Sequence, residues 1–60
     1  MYGDLGQYER AIQDYDEAIR LNPQNAKAYY NRGSAYGRIG KSIEAERDFA
    51  KAKELAIEAP

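Results

Sequence analysis

The chain contains neither cysteine nor histidine. Without cysteine there is no disulfide and no thiolate metal site to hold a small fold together. Without histidine the commonest general base and the commonest metal ligand are missing. An excess of one charge is missing too. Nine basic and ten acidic residues leave a net charge of −1, and the two signs are interspersed along the chain. That balance argues against nucleic acid or an anionic membrane as the main partner. No apolar run approaches the roughly 18 residues of a membrane span, and the opening MYGDLGQYER has no basic-then-apolar leader. The expectation is a soluble, cytoplasmic domain. Sixty residues make one small domain at most, or a piece of a longer array, and a chain this short is marginal without help.

What is present is helical periodicity. Tyr8, Ala11, Ile12, Tyr15, Ala18 and Ile19 fall on one helical stripe, which predicts a helix over 8–21. Asp16 and Arg20 sit four apart on it in the favourable order. Asn22–Pro23 stops it, because a residue before proline is pushed out of the helical region. Upstream, Met1–Gly6 reads as the last turn of a helix followed by a turn, since Gly3 and Gly6 weaken helix.

Asn25 is the expected N-cap of a second helix over 26–38. Ala28, Tyr29, Arg32, Ala35, Tyr36 and Ile39 lie along one side of it. Gly33 and Gly37 each cost roughly 1 kcal/mol relative to alanine, and close approach of a neighbouring helix compensates at Gly33. Gly40 ends this helix as a C′ glycine. Ser42 is the expected N-cap of a third helix with the inner stripe Ala45, Phe49, Ala52 and Ala56. Ile57 stands where the first copy has Pro23, so this helix is predicted to run to about Ala59, with Pro60 as breaker. It should be longer than its upstream counterpart.

The copies align without a gap when the chain is slid by thirty-four residues. Tyr2 meets Tyr36, Gly6 meets Gly40, Ala11 meets Ala45, Asp14 meets Asp48, Ala18 meets Ala52, and Leu21 meets Leu55. Leu5/Ile39 and Tyr15/Phe49 are conservative. A helix–turn–helix period of this length resembles the tetratricopeptide repeat. The family pattern of a large aromatic, then Leu-Gly, then Tyr is met here by Tyr29, Arg32-Gly33 and Tyr36. Its second-helix pattern is met by Ala45, Phe49 and Ala52, and its closing proline by Pro23. Arg32 in place of leucine and Ile57 in place of proline depart from it. The resemblance implies an all-α fold of antiparallel helix–turn–helix repeats, a fragment of a right-handed superhelical α-solenoid. Residues 1–24 would be the second half of a truncated repeat, and 25–60 one complete repeat with an extended last helix.

The two ends are expected to differ. Tyr8, Ala11, Tyr15 and Ala18 lack most of the helix they should pack against, which predicts self-association through them. At the other end Glu46 and Lys53 replace Ile12 and Ile19, as a solvent-facing terminal repeat requires. Ile43, Ala50 and Ile57 leave a thin apolar seam there. Asp48 or Asp14 is expected to pair with Arg32.

The segment from Ala35 through Lys41-Ser42 fits a relaxed phosphate-loop pattern, but such a loop follows a buried strand, and here the preceding residues are helical by period. It is read as an interhelical turn, not a nucleotide site. Asp14, Asp16, Glu17, Glu44, Glu46 and Asp48 sit at salt-bridge spacing with Arg10, Arg20, Arg47 and Lys51. They read as a solvated face, not a metal or acid–base site. Tyr8, Tyr15, Tyr29 and Tyr36 are core positions. Tyr30 lies off the stripe, with Lys27, Asn31, Ser34 and Arg38 on the same helix. In the resembling family this side lines a concave groove that takes peptides or partner segments. An aromatic, an amide and two cations suit a peptide with acidic or C-terminal carboxylate groups. Some members hold chaperone C-termini with a Lys/Asn/Arg clamp spanning several repeats, which one such helix cannot complete. The expected function is a non-catalytic protein-interaction module, with no cofactor, metal, nucleotide, nucleic acid or membrane. The alternative is a self-assembling homo-oligomer or helix-swapped dimer with no other ligand.

Overall fold

The structure, a computed structural model, describes the backbone of residues 2–58 and the side chains of residues 6–57. Three helices make up the described residues: α1 (Tyr2–Leu21), α2 (Ala26–Arg38) and α3 (Ser42–Glu58). No strand occurs among them, and no described helix is long and apolar enough to cross a membrane.

α2 begins where expected. The Asn25 side chain accepts a hydrogen bond from the Ala28 N–H at 3.1 Å, satisfying one of the donors left open at a helix start. Its end is built on Gly40, whose φ of +83° admits the close of a Schellman turn. The Lys41 N–H donates to the Tyr36 carbonyl at 2.9 Å and the Gly40 N–H to the Gly37 carbonyl at 3.3 Å. α3 starts one residue earlier than a Ser42 cap requires. Ser42 is already helical, and the Lys41 carbonyl, positioned by that turn, accepts from the Ala45 N–H.

α1 corrects the sequence-based expectation. The periodicity predicts a start at Tyr8 after a turn at Gly6, whereas the helix is continuous from Tyr2. Gly6 does not adopt the left-handed conformation of its counterpart Gly40. The physical reason lies in packing. At Gly40 the turn brings α3 back onto α2, and that burial offsets the broken helical hydrogen bonds. At Gly6 a turn has no described helix to return to, so continuing the α-helical ladder is preferred despite two glycines. α1 is therefore 20 residues long against 17 for α3, the reverse of the expected order. α3 does run past Leu55, to Glu58. Ala59 and Pro60 lie outside the described residues.

α2 packs against both neighbours, whereas among the described residues α1 and α3 do not pack on each other. The molecule measures 40 × 22 × 13 Å, and the shortest dimension is about one helix diameter. Its core is small: Ile12, Ala28, Ala35, Ala45, Ala52 and Leu55 are buried, and no large described side chain is wholly enclosed. Close approach is centred on Gly33. A Cβ there would meet the Phe49 ring at 3.0 Å and the Ala45 carbonyl oxygen at 3.1 Å. The glycine is what lets α2 and α3 come this near.

The internal repeat now gives a direct comparison. Ala45, Asp48, Ala52 and Leu55 are buried against α2, while their counterparts Ala11 and Ala18 are only half-buried and Asp14 and Leu21 are exposed. Leu55 is 5 % exposed and Leu21 is 70 % exposed. The same residue on the same helical face differs only in whether a helix covers it.

Candidate functional site

Arg32 organises the middle of the molecule. Its Nε and Nη2 donate to the two carboxylate oxygens of Asp48, both at 2.8 Å, in a bidentate fork. Its Nη1 donates to Asp16 Oδ1 at 2.7 Å. The guanidinium also lies 5.5 Å from the Tyr29 ring centroid and 5.8 Å from that of Tyr36, within reach of a cation–π contribution. One side chain thus ties α2 to both neighbours. Of the two expected partners, Asp48 is found and Asp14 is not. Asp14 remains exposed, because the helix that would bring it an arginine is not among those described.

Asp16 is spent on Arg32, so the expected Asp16–Arg20 pair is replaced by Arg20 with Glu17. Among the described residues the only other ion pair joins Lys51 and Glu54. The hydrogen bonds it donates to Asp48 hold the Arg32 guanidinium even more firmly protonated than usual. Burial pushes the Tyr36 hydroxyl above its ordinary value, against the opposing pull of Arg32.

The outer face of α2 carries the predicted partner-binding set. Lys27, Tyr30, Ser34 and Arg38 are exposed, and Asn31 is half-buried. The helix presents all five on contiguous turns, since they recur at three- and four-residue spacing. Neither Lys27 nor Arg38 enters an ion pair among the described residues. Gly37 leaves the surface low, as a Cβ there would meet only the Ala45 methyl at 3.9 Å.

Phe49 is a correction. The stripe pattern predicts Phe49 in the core with Tyr29 and Tyr36, and Ala56 on the inner stripe. Phe49 is 39 % exposed and Ala56 is exposed as well. With no Cβ at Gly33, the ring lies close against the α2 backbone. There it meets Tyr30 at 5.4 Å between centroids with the planes tilted by 52°. Behind this pair runs an open apolar groove between α2 and α3, lined among others by Ala52, Ala56, Lys27 and Lys53. The α3 end is thus not simply polar, as the Glu46 and Lys53 replacements implied. Ile43 and Ile57 are exposed on it too. The groove had a sequence signal: Phe49, Ala52, Lys53 and Ala56 fall at i, i+3, i+4 and i+7, one face of one helix.

The predicted self-association residues Tyr8, Ala11, Tyr15 and Ala18 are all half-buried, on α1. In the phosphate-loop-like segment, Ala35 is buried inside α2 and Lys41 follows the Gly40 turn. Its backbone is a helix end and not a loop that wraps an anion.

Two family models match the chain, one described as a TPR repeat over residues 1–40 and one as a tetratricopeptide repeat over residues 26–56. The chain belongs to the tetratricopeptide-repeat family. Among curated relatives, the Hsp70-Hsp90 organizing protein of Triticum aestivum is 44% identical over 48 residues, covering 80% of this chain and 8% of that protein. The mitochondrial import receptor subunit TOM70 of Rattus norvegicus is 42% identical over 59 residues, covering 90% of this chain and 10% of that protein. The heat shock protein STI1 of Saccharomyces cerevisiae is 35% identical over 54 residues, again 90% of this chain. The chain therefore spans about a tenth or less of the length of these relatives. No solved structure gives a significant match. The family and these relatives point to a protein-interaction module and away from catalysis.

Proposed function

We propose that this tetratricopeptide-repeat chain binds a partner segment along the outer face of α2, through Lys27, Tyr30, Asn31, Ser34 and Arg38. The observation that carries this reading is that two cations, a large aromatic and polar side chains stand together on one helix, and the cations have no partner among the described residues. Such a surface suits an extended peptide with acidic side chains or a free C-terminal carboxylate. The names of the relatives support a protein as ligand, since one organises Hsp70 with Hsp90 and another is an import receptor subunit. Contacts from one helix make the interaction weak unless neighbouring repeats add to it. The test is isothermal titration of the chain with a short acidic peptide bearing a free C-terminus. Binding should weaken in Asn31→Ala, Arg38→Ala and Tyr30→Ala while helicity is retained. Unchanged affinity in all three would refute the reading.

A second reading is favoured by the contrast between Leu21 and Leu55. The α1 face carrying Tyr8, Ala11, Tyr15 and Ala18 matches a face that α2 covers on α3, so a second copy of the chain is a natural cover for it, by simple pairing or by helix exchange. Light scattering on the chain and on Tyr15→Asp tests this. An oligomer lost in the variant supports it, and a monomer well into the millimolar range removes it.

A further inference from the structure

Two carboxylates share the Arg32 guanidinium, and among the described residues the helices that carry them do not pack on each other. Asp48 of α3 takes the edge formed by Nε and Nη2, both at 2.8 Å, and Asp16 of α1 takes Nη1 at 2.7 Å. The two pairs differ in setting. The Asp48 carboxylate is buried beneath the fork, whereas the Asp16 side chain is 52% exposed.

An exposed ion pair ordinarily adds little to stability. Holding a long side chain in one geometry costs about as much freedom as the screened attraction restores. Arg32 is a different case, because its freedom is already lost before Asp16 arrives. A bidentate fork fixes the plane of the guanidinium and its rotation within that plane. The rings of Tyr29 and Tyr36, 5.5 and 5.8 Å from the guanidinium carbon to their centroids, crowd it further. Nη1 is then left with one direction to point, and Asp16 stands in it. An ammonium group in the same place would carry the charge without the direction.

We propose that Asp48 is a positioning residue for an interface to which it does not belong. By fixing the Arg32 guanidinium from the α3 side, it sets how firmly α1 is held on α2 through Asp16. The polar hold on α1 is thus conditional on a closed α2–α3 hairpin, which gives assembly an order: the hairpin first, the neighbouring helix second. With the fork broken, Asp16 and Arg32 still meet, but as an ordinary exposed pair. None of the three residues belongs to the α2 set proposed for partner binding, so this device is independent of that reading.

The test is native-state amide exchange of the whole chain, read by NMR at the α1 amides, which report the opening of α1. Asp16→Asn keeps the shape of the side chain and removes its charge. In the wild-type background it should speed α1 exchange by about fivefold. In the Asp48→Asn background the same change should add less than about twofold, because the pair has already lost its fixed donor. Leu55→Ala is the control background: it loosens the α2–α3 interface without touching Arg32, and there Asp16→Asn should keep its effect of about fivefold. Arg32→Lys is a second route to the same end. It keeps the charge and abolishes the fork, so Asp16→Asn should again add less than about twofold.

A full effect of Asp16→Asn in either the Asp48→Asn or the Arg32→Lys background overturns the proposal, since the exposed pair would then stand without the fork. So does an effect that disappears in Leu55→Ala as well, because any loosening of the hairpin would then suffice. Absence of an effect in the wild-type background overturns it too. Should Asp48→Asn fail to fold, Arg32→Lys decides by itself.

Discussion

Replacing Asp48 by alanine removes both oxygens that the Arg32 fork holds at 2.8 Å. The Asp48 side chain is only 7% exposed and that of Arg32 20%, so the pair is largely withdrawn from water. Breaking one partner of a buried pair costs about 3–5 kcal/mol. Arg32 keeps Asp16 and some contact with solvent, which places Asp48→Ala below that range, at about 2–3 kcal/mol. Arg32→Leu leaves the carboxylate buried without its fork and should cost a similar amount, about 2–3 kcal/mol. The double variant should lose clearly less than the sum, giving a coupling of about 2 kcal/mol. A chain of this length has a total stability of roughly 3–9 kcal/mol, so either single change consumes a large part of it. Urea unfolding followed by far-UV circular dichroism reads all four corners of the cycle. Asp14→Ala is the internal control, since Asp14 is the repeat counterpart of Asp48 but exposed; it should shift stability by no more than about 0.5 kcal/mol. A coupling under about 0.5 kcal/mol between Arg32 and Asp48, or a loss in Asp14→Ala equal to that in Asp48→Ala, would refute the reasoning.

The two leucines make a matched pair: Leu55→Ala should cost about 2–3 kcal/mol and Leu21→Ala less than about 0.5 kcal/mol, both measurable by the same unfolding assay. Gly33→Ala should destabilise by about 1–2 kcal/mol, because a Cβ meets the Ala45 carbonyl oxygen, which is backbone and cannot move aside. Gly37→Ala, with only ordinary contact at 3.9 Å, should stabilise by up to about 1 kcal/mol, seen as a higher Tm. The Tyr36 hydroxyl is held above its ordinary value near 10 by burial. Its contribution is therefore complete below pH 10 and is lost as pH rises through the folded value, because the unfolded chain gives up that proton first. Unfolding measured across that range should show a shallower decline for Tyr36→Phe than for the wild-type chain.

Periodicity and caps made most of the fold legible. The bounds of α2, the Asn25 cap, the Gly40 turn and the close approach at Gly33 all followed from local chemistry, and each occurs as read. Arg32 with Asp48 was legible because a charge beside an apolar stripe needs a partner across it. Three features were not, for physical reasons that no single segment contains. Gly6 is the repeat counterpart of Gly40 but has a different conformation, because no described helix folds back at Gly6 as α3 does at Gly40. Asp16 was assigned to Arg20 by helix spacing, yet Arg32, from another helix, holds it instead. Phe49 was read as core from its position in the stripe. Its ring lies against Gly33 and Tyr30 and keeps one side exposed, because no described helix covers that side.

Among the described residues, α1 and α3 each lean on α2 and not on one another. Cooperativity in this chain must therefore pass through a single helix of 13 residues. Opening α1 leaves the α2–α3 interface intact, while loosening α2 releases both neighbours at once. Amide protons in α1 should accordingly exchange through a less costly opening than those of α2 and α3. In such a one-dimensional arrangement, stability is a sum of nearest-neighbour steps. A helix added at either end contributes one more step, and the interfaces already formed need not change to admit it.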